Sequence, residues 1–112
     1  MGHTRVIYTD ATTAEAGTVL KSSGFVEVAK GGLFTSPASP VKVYVVWGKS
    51  DYYPQILSRI EFPLRIQIHF KCREDGPAIA DLALGTVGAL RDLAPGTRIR
   101  LFDADRSEEI TC

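Results

Sequence analysis

A long apolar run is the first thing missing. No stretch approaches the roughly 18–20 apolar residues of a membrane span, and the opening MGHTRVIYTD lacks the apolar core of a secretory leader. Cysteine is scarce: Cys72 and Cys112 make neither a CxxC pair nor a metal-ligand spacing. That argues against a disulfide framework or a zinc module, and sets a reducing, cytoplasmic compartment as the expectation. Histidine is equally sparse, with only His3 and His69. An excess of either charge is absent as well, since 13 basic residues balance 13 acidic ones. Nothing global therefore draws the chain to nucleic acid or an anionic membrane, although a local patch can still form. Repeats and low-complexity tracts are also lacking.

What is there is enough for one core. The 112 residues are 45% hydrophobic and 23% charged, the profile of a single folded domain over residues 1–112 rather than a disordered chain. The clearest signal is LRIQIHFKC, residues 64–72. Leu64, Ile66, Ile68, Phe70 and Cys72 alternate with Arg65, Gln67, His69 and Lys71, which predicts a strand with one buried and one wet face. REDGPAIADLALGTVGALRDLAPG follows. Asp75 suits an N-cap and Pro77 the first turn. Ile79, Leu82, Ala83, Thr86, Leu90 and Leu93 then recur at helical spacing until Pro95-Gly96. Gly85 and Gly88 inside this helix each cost about 1 kcal/mol relative to Ala, which points to close packing on the sheet or on a neighbouring subunit. Residues 97–103 read as a further strand.

The first half is less regular. Residues 4–9 read as a strand, Asp10 as the cap of a helix over 11–22, and Gly24 as its end. FVEVA and LFT around Gly31-Gly32 predict a hairpin. Pro37 and Pro40 place residues 36–40 in a loop, because two prolines do not fit a central strand. VKVYVVW, residues 41–47, is a β-branched, central strand. Residues 48–63 allow either a short helix capped by Asp51 or a long hairpin loop. The order β-α-β-β-β-(α)-β-α-β predicts an α+β fold: a single mostly antiparallel sheet with two or three helices packed on one face.

Candidate chemistry thins out under scrutiny. Gly48-Lys49-Ser50 resembles the end of a phosphate-binding loop, but the glycine such a loop needs five residues earlier is Val43, inside a strand. His69 and Cys72 differ by an odd number along a strand, so their side chains face opposite ways and form no thiol–imidazole pair. Asp103, Asp105 and Ser107 open like a calcium loop, yet its sixth position holds Glu108 instead of glycine, which leaves a solvated acidic C-terminus as the reading. No catalytic residue, metal ligand or cofactor is assigned. The remaining candidate is a basic sheet face: Arg65, His69 and Lys71 on one strand, Arg98 and Arg100 on another, if the two faces coincide. Such a face could meet phosphate or an acidic partner. Only Phe102 and Tyr44 are in line for base stacking.

Residues 25–93 resemble the small tail-terminator and tail-completion proteins of long-tailed phages. The resemblance lies in a glycine-punctuated hairpin (FVEVAKGGLFTSP), an apolar strand ending in an aromatic and glycine (PVKVYVVWG) and a polar excursion (KSDYYPQILSRIEFP). The alternating strand LRIQIHFKC, the turn REDGP and the helix AIADLALGTVGALRDL complete it. It implies a ring-forming structural protein without catalytic residues, located in the virion. The expectation is thus a non-enzymatic, self-associating assembly protein partnered by copies of itself or another protein. Nucleic acid is not favoured, and neither a membrane nor a small-molecule substrate is evident. The alternative is a small binding module, inhibitor-like, acting through the basic face on protein or nucleic acid.

Overall fold

The computed structural model describes residues 2–29, 32–73 and 76–111. Its elements are β1 (His3–Thr9), α1 (Thr13–Ser22), β2 (Val26–Ala29), β3 (Leu33–Ser36), β4 (Ser39–Trp47), α2 (Pro54–Leu57), β5 (Ile66–Cys72), α3 (Gly76–Leu93), β6 (Ile99–Asp103) and β7 (Glu108–Ile110). The strands form one sheet in the order β2-β3-β4-β5-β1-β6-β7. All of its pairs are antiparallel. This is the α+β architecture expected, with α1 and α3 together on one face. No described helix is long and apolar enough to cross a membrane.

The period-2 pattern of the strands feeds a main core beneath those two helices. Ile7, Val43, Ile68, Phe70 and Leu101 meet Ala16 and Leu20 of α1 and Ile79, Ala83, Val87 and Leu90 of α3. Each of the Ile, Leu, Val and Phe side chains contributes about 1.5–3 kcal/mol by leaving water. On α3 the buried stripe includes Val87, whereas Leu93 at the helix end is exposed. A Cβ built on Gly85 or Gly88 meets no atom within 4 Å. These glycines therefore face away from the sheet, which removes sheet packing as their explanation.

Several local expectations change for identifiable reasons. Thr12, not Asp10, caps α1: its hydroxyl accepts from Glu15 N–H while the Glu15 carboxylate accepts from Thr12 N–H, a reciprocal capping box. Asp10 is drawn away to Arg98. Helix α1 ends with Phe25 N–H donating to Leu20 C=O and Gly24 N–H to Lys21 C=O, a closure that needs the positive φ of Gly24. Gly32 also has positive φ, and a Cβ there would lie 2.3 Å from the Val45 carbonyl oxygen, so the β3 entry admits only glycine.

The proline segment is tighter than a loop. Ser36 and Ser39 pair directly, and Pro40 belongs to β4. It is tolerated because β4 joins β5 only from Lys42 onward. Pro54 opens α2, with Tyr53 rather than Asp51 before it, and no side chain caps the helix. Asp75 lies outside the described residues. The acidic C-terminal segment is exposed over residues 105–109, as expected, but it also folds back as β7: Asp103 accepts from the N–H groups of Asp105 and Arg106, Ser107 takes a left-handed φ of 54°, and β7 pairs with β6.

Candidate functional site

Ladder register decides whether the two basic strand faces coincide. Val6 stands between His69 on β5 and Phe102 on β6, and Tyr8 between Gln67 and Arg100. Side chains opposite one another in a ladder share a face. Gln67, His69, Lys71, Arg100 and Phe102 thus lie on the sheet face opposite α1 and α3. On β4, Lys42, Tyr44 and Val46 join them through Lys71, His69 and Gln67. The coincidence that the sequence left open is realised.

The face is nevertheless not an open basic surface, because residues 48–65 run across it as a strap. Ile56 is buried against Val6, Tyr8, Phe102 and Ala104, with Tyr53, Leu57, Ile60 and Leu64 packed around them. Tyr8 and Phe102 meet edge to face at 5.6 Å. The Tyr8 hydroxyl is buried with no hydrogen-bond partner among the described residues, and burial raises its pKa.

The sequence expected His69 and Gln67 on a wet face, and both are buried. The His69 ring stacks on Tyr53 at 5.7 Å and meets the edge of Tyr52 at 4.9 Å. Gln67 Nε2 donates to the carbonyls of Gly48 and Ser50 at 2.9 and 2.8 Å, which leaves its Oε1 as an acceptor. His69 Nε2, 2.8 Å from that oxygen, therefore carries the ring proton. Burial, helped by the charge of Lys71, lowers the His69 pKa to about 4. The ring is neutral near pH 7 and serves to pin the strap to the sheet.

The arginines are engaged too. Arg100 grips Glu109 through Nε and Nη2 at 2.8 and 2.6 Å, and Nη1 donates to the Arg59 carbonyl and to Glu61. Those carboxylate bonds raise the Arg100 pKa, and the same hydrogen bonds hold Glu109 below its usual range. Arg98 binds Asp10 through its backbone N–H and Nε at 2.9 Å and lies over the Phe62 ring. Burial pushes Asp10 up, but these bonds from Arg98 outweigh it and hold the carboxyl low. Of the five residues singled out by sequence, His69 and Arg100 are held by the strap, whereas Arg98 pairs with Asp10 and meets the strap at the Phe62 ring. Arg65 and Lys71 remain exposed without an ion pair among the described residues.

Lys71 belongs instead to a second grouping, at the end of the sheet. Lys42 is its direct cross-strand partner on β4, and Thr4 its partner on β1. With His3 and Arg73 they line a cavity of 520 Å³. The Lys71 ammonium lies 5.5 Å from the Tyr44 ring. Sequence spacing could not find Lys42 or Arg73, since only the ladder register makes them neighbours of Lys71. Register also sets His3, not His69, opposite Cys72. Among the described residues no group of three His, Cys, Asp or Glu side chains could hold a metal ion. Scans against family models, curated proteins and solved structures each find no match to this chain.

Proposed function

We propose that this chain is a non-enzymatic assembly protein that self-associates through its open β2 edge, in the manner implied by the resemblance to phage tail terminators. The observation that carries the reading is the edge itself. Among the described residues β2 pairs with β3 alone, and its Val26 and Val28 are 61% and 59% exposed. An apolar strand with unpaired N–H and C=O groups is a template for another strand. The opposite edge, β7, is three residues long and begins Glu108-Glu109, the short, charged form that discourages pairing. Exposed Trp47 (67%) adds an aromatic of the kind enriched in protein contacts.

The exposed side of α3 supports the same reading. Leu84, Gly85 and Gly88 line a solvent-facing stripe whose glycines have no packing role within the chain. The strap also argues against an enzyme, since it seals His69 away from solvent. Copies joined β2 to β2 are related by a two-fold axis and close as a dimer, the cytoplasmic or virion unit from which this reading builds a ring.

Light scattering coupled to size exclusion tests it. The wild-type chain is expected to run as a multimer whose mass rises with concentration. Val26→Lys with Val28→Lys is expected to give a monomer with an unchanged melting temperature, because both side chains already face water. A wild-type chain that stays monomeric at every concentration overturns the proposal.

A further inference from the structure

Lys42 and Lys71 are directly opposed in the β4–β5 ladder, both exposed, and like charges in that position destabilise a sheet. No carboxylate among the described residues neutralises the pair: neither lysine, nor Arg73, nor His3 forms an ion pair, and Lys71 has the Tyr44 ring alone beside its ammonium. Asp105 accepts a hydrogen bond from Thr4 N–H and is thereby held on the β6 side of β1, away from the lysine pair. The cations line a concave space of 520 Å³ that no described carboxylate lines. The strap cations satisfy themselves within the chain; these do not.

We propose that this cavity is a binding site for a multiply charged phosphate-type anion, a phosphate ester or a diphosphate. The donors are two lysines in register on adjacent strands and an arginine just past the end of β5, all lining the same space. The Thr4 hydroxyl, which makes no hydrogen bond among the described residues, borders the same space. Several donors converging from separate elements match a group with many acceptor oxygens and two or more charges, whereas a lone carboxylate satisfies only one arm of the cluster. A bound anion also converts the Lys42–Lys71 repulsion into attraction to a shared partner, so binding stabilises the folded chain. The site lies at the ends of β1, β4 and β5 and does not depend on the β2 edge or on self-association.

The experiment uses the full chain with pyrophosphate as probe, followed by calorimetry and thermal melts, with acetate and a short single-stranded oligonucleotide as comparisons. Pyrophosphate is expected to bind and raise the melting temperature, and acetate at the same ionic strength is not. Lys42→Ala and Lys71→Ala should each weaken binding about tenfold, the size of one charge-assisted hydrogen bond. Lys42→Glu guards against a folding artefact: it places opposite charges across the ladder, so the ligand-free melt is expected to hold or rise while pyrophosphate binding is lost. No response to pyrophosphate, an equal response to acetate, or undiminished binding by Lys42→Glu overturns the site. Oligonucleotide binding without pyrophosphate binding overturns it in favour of an extended polyanion surface.

Discussion

Protonating His69 where it sits, between Tyr52 and Tyr53 and beside Gln67, places a charge in a space without a counter-ion. Its pKa falls from 6.5 in the open chain to about 4 in the folded one. The unfolded state therefore binds the extra proton first as pH drops. The stability linked to His69 is complete above pH 6.5, is lost progressively down to about pH 4, and changes no further below it, a total of about 3 kcal/mol. Urea melts across that window should show the slope, and His69→Gln should remove it; an identical slope in the variant would assign the effect elsewhere. At this scale the sequence misled. His69 and Gln67 alternate with apolar neighbours as solvent-facing residues do, and their burial arises from Gly48, Ser50, Tyr52 and Tyr53 at the far end of the strap.

Among the elements, α1 and α3 were largely legible because their signals are local. Thr12 and Glu15 sit three residues apart, as a capping box demands, and Gly24 supplies the left-handed turn that ends α1. The preference for Asp10 as the cap failed because an aspartate suits both roles in sequence, and Arg98, 88 residues away, claims it. The hairpin β6–β7 was missed because acidic side chains read as solvated until Arg100 and Arg5 are placed beside Glu109 and Asp103. On α3, Gly85→Ala together with Gly88→Ala is expected to stabilise the chain by about 2 kcal/mol, since each new Cβ enters open space. Chemical denaturation measures this directly, and a loss of stability would show that the glycine stripe is covered.

At the scale of the whole molecule, one sheet carries two cores of unequal size, a broad one under α1 and α3 and a small one under the strap. Ile56 is the strap's only fully buried aliphatic side chain among the described residues. Ile56→Ala is expected to cost about 2–5 kcal/mol and to let water reach the underlying face. The His69 titration, followed by NMR, should then move from about 4 toward 6.5. A titration left at its native position would mean that Tyr52, Tyr53 and Gln67 hold the ring without the strap's apolar anchor.

By itself, the sequence determined the α+β class, the strand read at 64–72 and found at 66–72, the long C-terminal helix and the turn glycines, since each rests on periodicity or a backbone constraint acting within a few residues. It also brought forward the basic residues of β5 and β6 as a group. Only tertiary structure decided what became of them. Register, a relation between residues far apart in the chain, set them on one face. The strap then buried His69 and met Arg100 through Arg59 and Glu61, Asp10 and Glu109 paired with Arg98 and Arg100 from elsewhere in the fold, and Lys71 was left to join Lys42 and Arg73 at the sheet's end. A charge becomes a site or a strut according to the partner that reaches it, and no local pattern records that partner.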